Sequence, residues 1–172
     1  MQEAFERRPS VRCDGANPVA HIFEGKIVTS IRCTDVDFTS EKVDTFQDIQ
    51  LPVSGEDTAT LADSLKLYCQ EQTFDGDDKY DAGERFGKQR AKCIVRIKEA
   101  PRVLTLHLKR FRYESRSGQP PNLAKINDSV EFDEKLDIAE YCNGEGSTKY
   151  TLHSVLVHQG TPERGHYYAS LA

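Results

Sequence analysis

Long stretches of the chain alternate between apolar and polar residues with the period of an extended strand, which leaves little room for a helical fold. In "FEGKIVTSIRC" (23–33), Ile27, Thr29 and Ile31 share one face, with Val28 and Ser30 on the other. The run "DFTSEKVDTFQDIQLPV" mixes β-branched and polar residues in the same way, so the pattern predicts two long strands joined by a tight turn at Thr34–Asp37. Further along, "CIVRI" alternates, "RVLTLHLKRF" aligns Leu104, Leu106 and Leu108, and "YTLHSVLVH" is almost continuously apolar. The second half therefore reads as a sheet core. Only after Pro52 does the period change: Leu61, Leu65, Tyr68 and Cys69 recur at helical spacing, and Thr60 with Asp63 forms a capping-box pattern ahead of them. "YESRSGQPPNL" and "YCNGEGSTK" carry the Gly, Pro, Asn and Ser of surface loops. No repeat or low-complexity tract interrupts this order.

A chain of 172 residues suits one domain, and 37% hydrophobic residues suffice for a core beneath a surface with 30% charged residues and a mean hydropathy of -0.63. No run approaches the roughly 18 apolar residues of a membrane span, and the opening "MQEAFERRPS" lacks the apolar centre of a signal peptide. The expectation is an intracellular protein of the nucleus or cytoplasm, with no membrane partner. Five scattered cysteines, Cys13, Cys33, Cys69, Cys93 and Cys142, fit a reducing compartment better than a disulfide framework. A net charge of -5 argues against nucleic acid and for a partner with a basic face.

Near the end stands "HQGTPERGHYYASLA" (158–172), where His166 opens an apolar strand behind a loop rich in Gly and Pro. Imidazole takes and returns protons near neutral pH, so a histidine at a strand mouth beside a mobile flap is placed for acid–base work. The plainer alternative is a histidine packed at a strand end. His107 and His153, inside apolar strands, read as hydrogen-bonded core residues. The acidic run "FDGDDKYDAGE" fails as a calcium loop: counted from Asp75, the fifth position is Lys79, the sixth Tyr80 instead of Gly, and the twelfth Phe86. It is either a solvated face or a surface that complements a basic partner, with Tyr80 as an aromatic anchor.

Taken in order, "FEGKIVTSIRC", "DIQLPV", "DGDDKYDAGE", "PRVLTLHLKRF", "KINDSVEFDEKLDI" and "YTLHSVLVHQG" with "GHYYASL" resemble the ubiquitin-specific protease catalytic domain, and its herpesvirus-associated branch most of all. The likeness runs over roughly residues 22–172. It implies an α+β, papain-like cysteine protease fold, mostly antiparallel sheet with few helices. It implies fingers at 22–50 and 75–95, palm at 51–74 and 96–172, and the end of a thumb with its linker at 1–21. The implied function is hydrolysis of thioester, peptide or isopeptide bonds at the ubiquitin C-terminus, with ubiquitin and ubiquitinated proteins as partners and no cofactor. His166 takes the role of general base to a cysteine, and Asp75, Asp77, Asp78, Tyr80, Asp81, Glu84, His158, Gln159, Gly165 and Tyr167 take ubiquitin-binding roles. Gly165 is expected to leave room for substrate backbone. The loops around 113–128 and 158–165 resemble the family's two blocking loops.

The departures from the family pattern carry expectations of their own. The family's Asn-x-Gly-x-Thr-Cys box does not occur in the sequence, and its third triad residue, an Asp or Asn after the Gly-His-Tyr strand, has no counterpart before Ala172. Cys13, in "SVRCDGANP", has no helix start after it to activate a thiol. Met1–Arg8 resembles the tail of the last thumb helix. The chain is thus expected to be an inactive internal piece with exposed palm surface prone to self-association. Positions where many members hold structural zinc with two Cys-x-x-Cys pairs read Cys33, Val36, Ala82 and Arg85, so no metal is expected. The alternatives are a non-catalytic ubiquitin-binding module or pseudoenzyme, and a scaffold that docks other proteins on its sheet.

Overall fold

The computed structural model describes residues 17–114, 121–144 and 147–172. In chain order these form helix α1 (Pro18–Phe23), strands β1 (Gly25–Cys33), β2 (Thr39–Phe46) and β3 (Ile49–Pro52), and helix α2 (Leu61–Tyr68). Strands β4 (Gln72–Phe74), β5 (Tyr80–Asp81), β6 (Lys88–Gln89), β7 (Ala91–Glu99) and β8 (Leu106–Lys109) follow. The rest comprises β9 (Phe111–Glu114), β10 (Asn122–Lys125), β11 (Lys135–Asp137), β12 (Lys149–Thr151), β13 (Ser154–Gly160) and β14 (Gly165–Leu171). All pairings between these strands are antiparallel except that of β3 with β8.

The largest sheet runs β2-β1-β7-β4, and its spine is the pairing of β1 with β7, which brings Ile27 opposite Ile97. Both central strands carry the β-branched residues that pack well on a pleated surface. At one end of this sheet Cys33, Ala82 and Ala91 are buried among Ile31, Val36, Phe38, Phe74, Tyr80 and Phe86. At the other end Ile49, Leu51, Leu65, Cys69, Ile97, Ile138 and Tyr141 make the main core, so α2 packs its Leu65 face onto β3 and β7. The helix starts as its sequence predicts. The Thr60 hydroxyl accepts from the Asp63 N–H at 3.1 Å while the Asp63 carboxylate accepts from the Thr60 N–H at 3.0 Å, which satisfies two donors the first turn cannot use.

Several expectations are corrected. The single strand predicted over 37–53 is two, because the chain breaks at Gln47–Asp48 and β3 leaves β2 to pair with β8. Leu104, Leu106 and Leu108 do share one buried-side face, but the same alternation exposes His107, so it is no core histidine. His153 is exposed as well, in the gap between β12 and β13. The second half does not form one sheet core. It gives β7 to the large sheet and β8 to a pairing with β3, and the strands after β8 form separate two-stranded ribbons, of which the β13–β14 hairpin leaves Leu156 71% and Leu171 75% exposed. Of the predicted loops, 113–123 begins in strand β9 and ends in β10, and in the other Tyr141 is buried with its hydroxyl donating to the Ala62 carbonyl. Met1–Arg8 and Cys13 lie outside the described residues, but a short helix, α1, does start after Cys13, where none was expected, because Asn17 caps it by accepting from the Val19 N–H and Pro18 suits its first turn.

Candidate active site

The β13–β14 hairpin carries His166 and most of its named neighbours. Antiparallel register sets His158 opposite Tyr167, Gln159 opposite His166 and Gly160 opposite Gly165. Side chains alternate along a strand, so His158 and Tyr167 occupy one face and Gln159 and His166 the other. The turn closes with the Thr161 N–H donating to the Arg164 carbonyl at 2.8 Å, and Gly160 supplies a φ of 130° that a side chain would resist. His166 is exposed at this mouth, open to whatever approaches the turn.

His158 is placed differently. Its ring is half-buried, 4.7 Å from Tyr167 within the hairpin and edge-on to Phe111 of β9 at 5.5 Å. Its Nδ1 is buried without a hydrogen-bond partner. A Cβ on Gly165 would run into the His158 Nε2 and would lie 2.7 Å from the Gln159 carbonyl. The space over Gly165 is therefore filled by the protein's own imidazole, which revises the expectation that it is kept open for substrate backbone. From β10, Lys125 donates through Nζ to the carbonyls of His158 at 3.0 Å and Gly160 at 3.2 Å. Neither Lys125 nor Phe111 stands out in the sequence, since each is an ordinary member of an alternating strand.

The acidic residues sit on other elements. Asp77 and Asp78 lie in one turn of 3-10 helix, Gly76–Asp78, and Asp75, Asp77, Asp78, Asp81 and Glu84 are all exposed. Asp75 accepts from the Gly76 N–H at 2.7 Å and pairs with Arg90 at 3.1 Å, and these partners, Gly76 first, hold its carboxyl below the usual range. Tyr80 is only half available as an anchor, because its ring packs 6.3 Å from Phe38 in the smaller cluster. That cluster occupies the positions compared above with zinc ligands: Cys33 and Ala82 are buried in it, Val36 packs against it, and the Arg85 guanidinium lies 4.9 Å over the Phe86 ring. One thiol among apolar residues is not the set of four ligands that a structural zinc takes.

Among the described residues, the Cys33 thiol is buried in that apolar cluster. Burial pushes the Cys69, Cys93 and Cys142 thiols up, away from the thiolate form that attack requires.

The β13–β14 hairpin thus presents an exposed histidine beside a turn bounded by Gly160 and Gly165. The family model "Ubiquitin carboxyl-terminal hydrolase" matches residues 1–172. Among curated relatives, ubiquitin carboxyl-terminal hydrolase 15 of Schizosaccharomyces pombe is 41% identical over 157 residues, 89% of this chain and 13% of its own length. Ubiquitin carboxyl-terminal hydrolase 7 of Drosophila melanogaster is 39% identical over 148 residues, 85% of this chain and 13% of its length. Ubiquitin C-terminal hydrolase 12 of Arabidopsis thaliana is 38% identical over 159 residues, 88% of this chain and 14% of its length. This chain belongs to the ubiquitin carboxyl-terminal hydrolase family. Its fold is that of the ubiquitin-specific protease domain, a papain-like fold, here with mostly antiparallel strands and few helices. The chain spans 13–14% of the length of these relatives.

Proposed function

We propose that this chain is the fingers and palm of a deubiquitinating cysteine protease, acting on ubiquitin and ubiquitinated proteins inside the cell. The observation that carries the reading is the family match across all 172 residues together with the exposed His166 at the mouth of β13–β14. In the reaction His166 takes the proton of a cysteine thiol, the thiolate attacks the carbonyl at the ubiquitin C-terminus, and the imidazolium returns the proton to the departing amine. The thiol comes from a cysteine box that these residues do not contain, so the chain by itself is inactive. Gln159, Gly165, Tyr167 and His158 border the path of the ubiquitin tail, and the exposed carboxylates from Asp75 to Glu84 face a basic surface.

The fingers are residues 22–50 and 75–95, which hold β1, β2, β5, β6 and the first part of β7, and the palm is 51–74 and 96–172; the pairing of β3 with β8 supports a boundary near residue 50. Assignment to the herpesvirus-associated branch is supported by the apolar cluster of Cys33, Val36 and Ala82 at the fingertip. Exposed apolar residues on β13–β14 make self-association through the palm a property of the chain alone.

The deciding experiment joins this sequence to a segment bearing the Asn-x-Gly-x-Thr-Cys box and to a following strand with the Asp or Asn. The chimera hydrolyses a ubiquitin C-terminal fluorogenic ester or amide, and His166→Ala lowers turnover by roughly two to four orders of magnitude while ubiquitin binding persists. His153→Ala, at an exposed position, leaves both turnover and stability near wild type. An active chimera indifferent to His166→Ala would remove the catalytic assignment. Ubiquitin binding without turnover in the unmutated chimera would favour the non-catalytic module.

A further inference from the structure

Among the described residues, β13 has a strand partner, β14, on one edge only. Carbonyls two residues apart in an extended strand point to the same edge, and on the outer edge of β13 those of His158 and Gly160 share one ammonium, that of Lys125, at 3.0 and 3.2 Å. The residue between them, Gln159, is the one paired with His166. Lys125 is itself paired with Phe111 across β9–β10, so the two side chains stand together on one face of that hairpin. Phe111 meets the His158 ring while Lys125 meets the His158 carbonyl, which makes a two-point contact on one residue of β13. The His158 ring in turn covers Gly165, the neighbour of His166.

We propose that Lys125 is a positioning residue for His166: by bridging the carbonyls of His158 and Gly160 it fixes β13 on both sides of Gln159, and through that strand pairing it fixes the backbone that carries the His166 ring. Charge-assisted hydrogen bonds are shorter and stronger than neutral ones, and a lysine can span both carbonyls because its donors sit on one compact head. The same contact ties β10, which lies within the 113–128 segment that resembles one of the two blocking loops, to the turn at 160–165. The role in turnover rests on the deubiquitinase reading. The geometric role does not.

The test therefore reads geometry first, on the chain as it stands. In Lys125→Met, which keeps the stem and removes the charge, amide hydrogen exchange at Gln159, Thr161 and His166, whose N–H groups face across the hairpin, accelerates about tenfold or more, while the β1–β7 sheet keeps its protection. The His166 ring resonances shift, a change that uniform loss of stability does not produce. Lys125→Arg, which retains the cation, stays within about threefold of wild type. Should Lys125→Met fail to fold, Lys125→Gln carries the same comparison. In the active chimera Lys125→Met lowers kcat about tenfold to a hundredfold with little change in KM, the mark of a displaced catalytic group. Unchanged exchange and unchanged His166 resonances overturn the proposal, and so does protection lost evenly over all strands. An inactive wild-type chimera would count against the deubiquitinase reading alone, since exchange and resonances still decide the clamp.

Discussion

Gly165 shows how little of a residue's reason is visible at its own position. Its backbone is not in the left-handed region, so glycine is not required there for conformation. What requires it is the His158 ring on one side and the Gln159 carbonyl at 2.7 Å on the other. Gly165→Ala should therefore destabilise the chain by about 1–3 kcal/mol, the usual cost of overpacking. Combining it with His158→Ala should recover part of the loss and only part, because the second obstacle is backbone. Urea melts of the four members of that cycle measure the coupling. A Gly165→Ala chain as stable as wild type would show that the ring does not occupy this space.

At the scale of the element, α2 is the clearest case of local chemistry. It is short, so its own propensity contributes little, and it relies on the Thr60–Asp63 capping box and on the burial of Leu65. Thr60→Ala should cost about 1 kcal/mol, measured by thermal or urea unfolding. The pH dependence follows from the same contacts. The Thr60 hydroxyl, then its N–H, holds the Asp63 carboxyl below the usual carboxylate range. Asp137 is lowered likewise, by Thr148 first and then by the Ala139 N–H. A carboxyl whose folded pKa is depressed contributes stability that is full above the unfolded value and is lost as pH falls through the folded one. Stability should thus decline on acidification below about pH 4, less steeply in Asp63→Asn than in wild type. Equal slopes in pH-dependent melts would mean that the capping carboxylate adds nothing.

The whole molecule is less a single layered sandwich than a four-stranded sheet with a core at each end and ribbons attached to it. The β13–β14 ribbon, which carries the candidate active site, is largely exposed, with Tyr167 at 64% and Leu171 at 75%. Exposed apolar strands beside an unpaired edge invite contact with another chain. The chain alone should therefore self-associate as its concentration rises, and Leu156→Lys with Leu171→Lys should restore a monomer in sedimentation velocity. A wild-type chain that stays monomeric at high concentration would count against that face as the sticky one.

Strand content, the lone amphipathic helix, its capping box, the Thr34–Asp37 turn and the Gly-His mouth were all readable along the chain, because each depends on neighbours a few residues away. The family likeness was readable for the same reason, carried by short motifs in a fixed order. Which edge each strand pairs with, and so which face is buried, was not. The pattern in "YTLHSVLVH" describes strand without saying that Leu156 faces outward, and "DFTSEKVDTFQDIQLPV" does not announce that its end pairs with a strand more than fifty residues away. His107 and His153 were misjudged on that account. The enclosure of Tyr80 by Phe38, the cover of His158 over Gly165 and the reach of Lys125 to β13 belong to tertiary structure alone. Each is a contact between segments that only the closed fold brings within van der Waals or hydrogen-bonding range, and no local propensity encodes it.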